Sequence, residues 1–161
     1  MSSELSLFEA GVLAAVYRGV NTLKSLKELF NTVDPRVVED ALLRLESKGL
    51  IRREQKGFLR KKTVYVLTRS GIEALDQALK MLREASETAK SRIEATTGAG
   101  RSIEDYAPLL GAELFSILPL LLFLGFLPPI MFEGYEEPVA EDYGEEGDID
   151  FGDSFDIDIG E

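Results

Sequence analysis

The sequence predicts a mainly α fold with one small β-hairpin, a long helix after it, then an apolar helical segment and a disordered acidic tail. Three observations predict this. Apolar residues recur at helical spacing in three successive segments before residue 50 and in a fourth after residue 69. Two short runs rich in β-branched and basic residues, joined by a Gly-containing link, read as a hairpin. Charge also divides along the chain. All 18 Lys and Arg lie at or before Arg101, where 13 acids leave that part at +5, whereas residues 102–161 hold 16 acids and no base. The overall figure of −11 describes neither part.

Residues 1–68 form the first unit. In the segment Leu5 to Tyr17, Phe8, Val12, Ala15 and Val16 recur at helical spacing, and Gly19 ends the helix. Thr22 can cap a second short helix reaching Phe30, with Leu23, Leu26, Leu29 and Phe30 facing inward. The third helix has the clearest punctuation: Asp34 as cap, Pro35 at the first position, Gly49 as the left-handed stop. Between them Val37, Val38, Ala41, Leu42 and Leu45 make an apolar stripe, leaving Arg36, Glu39, Asp40, Leu43 and Lys48 outward. Leu50 to Arg53 and Thr63 to Leu67 then read as strands, and the link from Glu54 to Lys62 carries Lys56, Gly57, Arg60, Lys61 and Lys62.

Three helices followed by a basic hairpin is the order of a winged helix-turn-helix. The stretch Pro35-Arg36-Val37-Val38-Glu39-Asp40-Ala41-Leu42-Leu43-Arg44-Leu45-Glu46-Ser47-Lys48-Gly49-Leu50-Ile51 resembles the recognition-helix signature of the PadR and MarR regulator families. Tyr65-Val66-Leu67-Thr68-Arg69-Ser70-Gly71 is similar to their second wing strand and the turn into the next helix. The resemblance covers about residues 5–80. It implies a DNA-binding transcriptional regulator that acts as a homodimer on a palindromic site.

The residues themselves give that function a chemistry. Arg52, Arg53, Lys56, Arg60, Lys61 and Lys62 place six bases in eleven residues against one acid, Glu54, which suits contact with the phosphates of double-stranded DNA. The bland alternative is a solvated hairpin whose charges blunt an exposed edge strand. Arg36, near the start of the third helix, and Lys48 are the candidates for the groove. Glu39 and Asp40 meet phosphates badly. With the patterned acidic tail, they favour a second function, a winged-helix protein-protein interaction module in a membrane-associated or large assembly that does not read DNA sequence.

Residues 69–95 predict an extended helix. Positions 72, 75, 79, 82, 86, 89 and 93 form a heptad seam whose dimerisation candidates are Leu75, Leu79, Leu82, Ala89 and Ile93. At ~1.5 Å per residue the helix is about 40 Å long, so its first turns cap the domain and the rest calls for a second copy. Residues 96–105, with Gly98-Ala99-Gly100, read as a linker.

Residues 106–132 are the greasiest part. From Leu114 to Phe132 no residue is charged and 14 of 19 are Leu, Ile, Phe or Met. Leu114, Phe115, Ile117, Leu118, Leu120, Leu121, Leu122, Phe123, Leu124, Phe126 and Leu127 surround the helix axis, giving no polar face. Nineteen residues approach the span of a bilayer core. The expectation is that a domain of about a hundred residues leaves such a helix uncovered, so that it anchors a cytoplasmic domain to a membrane. Pro119, Gly125 and Pro128-Pro129 equally suit a hairpin dipping into one leaflet, and a soluble cytoplasmic protein that buries the segment in an oligomer is the alternative.

In residues 133–161, 13 of 29 residues are acids and none is basic, which predicts disorder. Between Asp148 and Ile159, acids alternate with Ile and Phe, the pattern of a segment that binds a protein partner or the chain's own basic hairpin. A plain solubilising tail fits as well. The chain has no Cys, His or Trp. That excludes thiol and imidazole catalysis and zinc sites built on those ligands. Gly98-Ala99-Gly100 lacks the rest of a phosphate loop, and Asp148, Asp150 and Asp153 miss the calcium-loop spacing. No catalytic residue, metal or cofactor is nominated, and the composition points to binding rather than an enzyme.

Overall fold

The structure, a computed structural model, describes residues 4–95 and 102–128. It is mainly helical with one small antiparallel hairpin, an arrangement compatible with a winged helix. The order is α1 (Leu7–Tyr17), α2 (Leu23–Leu29), α3 (Pro35–Ser47), β1 (Ile51–Lys56), β2 (Lys62–Leu67), α4 (Arg69–Glu94), a 3₁₀ turn (Ile103–Tyr106) and α5 (Ala107–Phe123). The predicted disorder of residues 133–161 and most of the 96–105 linker lie outside the described residues.

Local chemistry sets the element ends. Ser6 and Glu9 form a capping box at the start of α1, and Thr22 with Ser25 does the same for α2. Asp34 accepts the Arg36 N–H at 2.8 Å, with Pro35 in the first turn of α3. Gly49, at φ 76°, ends α3: the Leu50 N–H reaches the Leu45 carbonyl at 3.0 Å and the Gly49 N–H reaches Glu46 at 2.9 Å. The hairpin is longer than the sequence suggests. Register runs from Ile51 opposite Leu67 to Lys56 opposite Lys62, so the link shrinks to residues 57–61. Beyond β2, the Tyr65 N–H donates to the Asn21 carbonyl at 2.8 Å, stitching the α1–α2 loop to the outer side of the sheet.

The core is organised around α1. Spacing gave this helix one inward face, but the structure buries every residue from Phe8 to Val16, because α3, α4, α5 and β2 pack around it. Val37, assigned to the inward stripe of α3, is exposed, while Val38, Ala41, Leu42 and Leu45 are buried. Gly71, in the first turn of α4, sits so close to the Leu50 carbonyl that a Cβ there would overlap it.

The seam of α4 faces the chain's own core. Leu75, Leu82, Ala89 and Ile93 are buried and Leu79 is partly so, against α1 and α5, while Ile72 is exposed. The five dimerisation candidates are thus covered without a second copy.

The expectation that the domain leaves the apolar segment uncovered is corrected here. The span Ile103–Phe123 has a mean hydropathy of 1.7 and is long enough to cross a membrane, yet half of it is buried in the protein. Leu110, Leu114, Ile117, Leu118, Leu120, Leu121, Leu122 and Leu127 are buried; Phe115, Phe123, Leu124 and Phe126 are partly covered. Small residues make room. Gly11 lets Leu120 and Ile117 come within 3.1 and 3.2 Å of where its Cβ would stand, and Ala14 and Ala15 are fully buried nearby on α1.

Both irregularities of α5 are answered by side chains from the rest of the fold. Gly111 takes φ 84° and breaks the helix, and Arg92 Nη1 donates to the Leu110 carbonyl at 2.8 Å. Pro119 has no N–H to give the carbonyl four residues back. That carbonyl, on Phe115, accepts the Thr32 hydroxyl at 2.9 Å.

Candidate nucleic-acid interface

The hairpin and α3 bring most of the predicted bases onto neighbouring surfaces, but they do not leave all of them equally available. Strand alternation puts Arg52, Glu54 and Lys56 on one face of the hairpin and Ile51, Arg53 and Gln55 on the other. Arg52 Nη2 pairs with Glu54 at 2.6 Å. Arg53 reaches back to α3, where its Nε and Nη2 hold both carboxylate oxygens of Glu46 at 2.8 and 3.2 Å. This two-pronged pair pushes the Arg53 pKa further up, so its charge is permanent. Burial pushes the Tyr65 phenol up as well, against the pull of Arg53.

The far end of the hairpin is different. Lys56, Arg60, Lys61 and Lys62 are exposed, and no acid stands among residues 55–62. Between them the chain presents Phe58 and Leu59, 94% and 92% exposed. Charge patterning alone does not single out this pair. Its signal was present: two large apolar residues inside a charged turn, with no partner run to bury them.

On α3, Arg36 is exposed near the helix N-terminus, its Nε 3.4 Å from Asp34. The Arg36 N–H, followed by its side chain, holds the Asp34 carboxyl below the usual range. Glu39, one of the two acids that argue against base contact, is engaged elsewhere: Lys27 of α2 pairs with it at 2.6 Å. Asp40 and Leu43 remain on the exposed face.

Lys48 is not where sequence reasoning put it. Its Nζ donates to Glu9 Oε1 at 2.6 Å and to the Glu4 carbonyl at 2.8 Å, and its side chain is only 19% exposed. Arg44 Nε binds the other Glu9 oxygen at 2.7 Å. Glu9 is buried, which alone would raise its pKa. The hydrogen bonds from Lys48, Arg44 and the Ser6 N–H outweigh that and hold the carboxyl below its ordinary value. Lys48 is thereby a structural cation that ties α3 to the start of α1.

The surface that remains has one chemical character. At the hairpin tip the exposed cations Lys56, Arg60 and Lys61 flank in sequence two exposed apolar side chains, Phe58 and Leu59. Such a surface attracts polyanions. No family model, curated protein or solved structure matches this chain.

Proposed function

We propose that the chain is a winged-helix DNA-binding protein acting in transcriptional regulation, of the kind the PadR and MarR resemblance implies. One observation carries the proposal: Lys56, Arg60 and Lys61 are exposed at the end of a hairpin that flanks α3, with no acid among residues 55–62. Phosphate contacts from the hairpin supply affinity, while Arg36 is the candidate for a base edge. Arg52 and Arg53 contribute field rather than free hydrogen-bonding groups, because each already holds a carboxylate. Full-length protein titrated with a labelled duplex at low salt is expected to bind. Replacing Lys56, Arg60 and Lys61 together by Ala is expected to weaken binding at least about tenfold. A variant that binds like the parent contradicts the assignment.

A second function, docking of a protein partner, is favoured by Phe58 and Leu59, since so exposed an apolar pair suits a partner's surface. Retention of duplex DNA by the full chain separates the two.

For location, the apolarity of α5 supports a membrane-anchored cytoplasmic protein, and its seat against α1 and α4 supports a soluble cytoplasmic one. Fractionation in the absence of detergent distinguishes them. A homodimer through the α4 seam requires Leu82, Ala89 and Ile93 to be uncovered first.

A further inference from the structure

We propose that the hairpin tip is a docking surface for the chain's own acidic segment, residues 148–159. The tip needs an occupant of particular chemistry. Phe58 and Leu59 require an apolar contact, and Lys56, Arg60 and Lys61 around them require anions. Residues 148–159 carry both in alternation: Asp148, Asp150, Asp156 and Asp158 interleaved with Ile149, Phe151, Phe155 and Ile157. Charge alone would make any acidic stretch suitable. The apolar pair favours this one, because the acids nearer α5, from Glu133 to Glu146, are accompanied by Gly, Tyr, Pro, one Val and one Ala, and do not alternate with apolar residues.

The hairpin also offers a backbone. The sheet has two strands, β1 and β2, and among the described residues β1 pairs only with β2. Its outer edge therefore presents unpaired N–H and C=O groups, which an extended segment can complete as a third strand. A period-two sequence suits that role. Added beside β1, it sends one set of side chains to each face and can carry its even-numbered acids on the face that bears Arg52 and Lys56.

Reach is not limiting. Because α5 packs on α1 and α4, the chain leaves Pro128 from the same body that carries the hairpin. Nineteen residues separate Pro128 from Asp148. Extended, they span at most about 70 Å, and as a coil about 25 Å, comparable with the diameter of a domain this size. Tethering at that distance gives an effective concentration in the millimolar range. Docking there covers the bases assigned above to phosphates, so the segment competes with DNA; that consequence rests on the proposed function, whereas the docking does not.

The test uses the full chain, which has no native cysteine. A spin label on Ser154→Cys is expected to broaden the amide signals of residues 52–60 at low salt and to leave those of α2 sharp. The broadening should disappear in Phe58→Ser/Leu59→Ser, and equally when Asp148, Asp150, Asp153, Asp156 and Asp158 are all changed to Asn. Sharp hairpin signals in the labelled chain overturn the proposal. So does broadening seen only between labelled and unlabelled chains, which would make a second copy the occupant. In parallel, the five Asp→Asn changes are expected to raise duplex affinity about three- to tenfold at low salt. Broadening without any DNA binding would retain the docking and remove the proposed function instead.

Discussion

Glu9 is the most constrained charge in the protein: a buried carboxylate that accepts from Lys48, Arg44 and the Ser6 N–H. Its pKa is held below the ordinary 4.5, so the folded state keeps the charge where the unfolded chain takes up a proton. Its contribution is fully present above about pH 4.5 and is lost as pH falls through the depressed folded value. Glu9→Gln is expected to destabilise the fold by about 2–3 kcal/mol at pH 7, less than a fully enclosed pair because Arg44 reaches solvent. It should also flatten the acid limb of the stability curve, measured as Tm against pH. A variant with the parent's acid limb would show that other carboxylates set it. Gly71 is constrained by space rather than charge. Gly71→Ala pushes a methyl into the Leu50 carbonyl and should cost about 2–3 kcal/mol in denaturant unfolding. The capping pairs were legible in sequence because Thr22, Asp34, Pro35 and Gly49 act within four residues of themselves. The Glu9–Lys48 pair was not, because it joins positions 39 apart, and helical spacing alone placed Lys48 on the outward face.

At the scale of elements, α5 is the one whose placement the sequence misjudged. A helix apolar on all sides carries no record of which neighbour covers it, and the cover comes from α4 and from α1, where Gly11, whose lack of a side chain reads from spacing as weak rather than accommodating, admits Leu120 and Ile117. The hairpin was found, but two strand ends were drawn short because Glu54, Gln55 and Lys56 are polar and pair regardless. Two substitutions test the seat of α5. Thr32→Val leaves the carbonyl freed by Pro119 without its donor and should cost about 1–3 kcal/mol in thermal unfolding. Leu120→Ala opens space against Gly11 and should cost about 2–5 kcal/mol. A helix seated in lipid would make both changes nearly neutral, because neither partner would be near. Increased hydrogen exchange at Leu118–Leu122 in Leu120→Ala would locate the loss in α5 itself.

For the whole molecule, structure and charge work at different places. The packed body is held by α1 at its centre, and the hairpin end stands away from it with Lys56, Arg60, Lys61 and Lys62. The basic character of that end was legible in sequence as six bases in eleven residues. Which of them are already engaged was not, because the Arg53 pair depends on how β1 packs beside Glu46 of α3. If the exposed bases Lys56, Arg60 and Lys61 of the hairpin end are the phosphate contacts proposed above, the dependence of duplex affinity on salt tests them most directly. For about three contacts, log affinity against log salt should fall with a slope of roughly −3 in the full chain. Arg60→Ala/Lys61→Ala should reduce the size of that slope by about 2. Absence of salt-dependent binding, or an unchanged slope in the double variant, would contradict the claim.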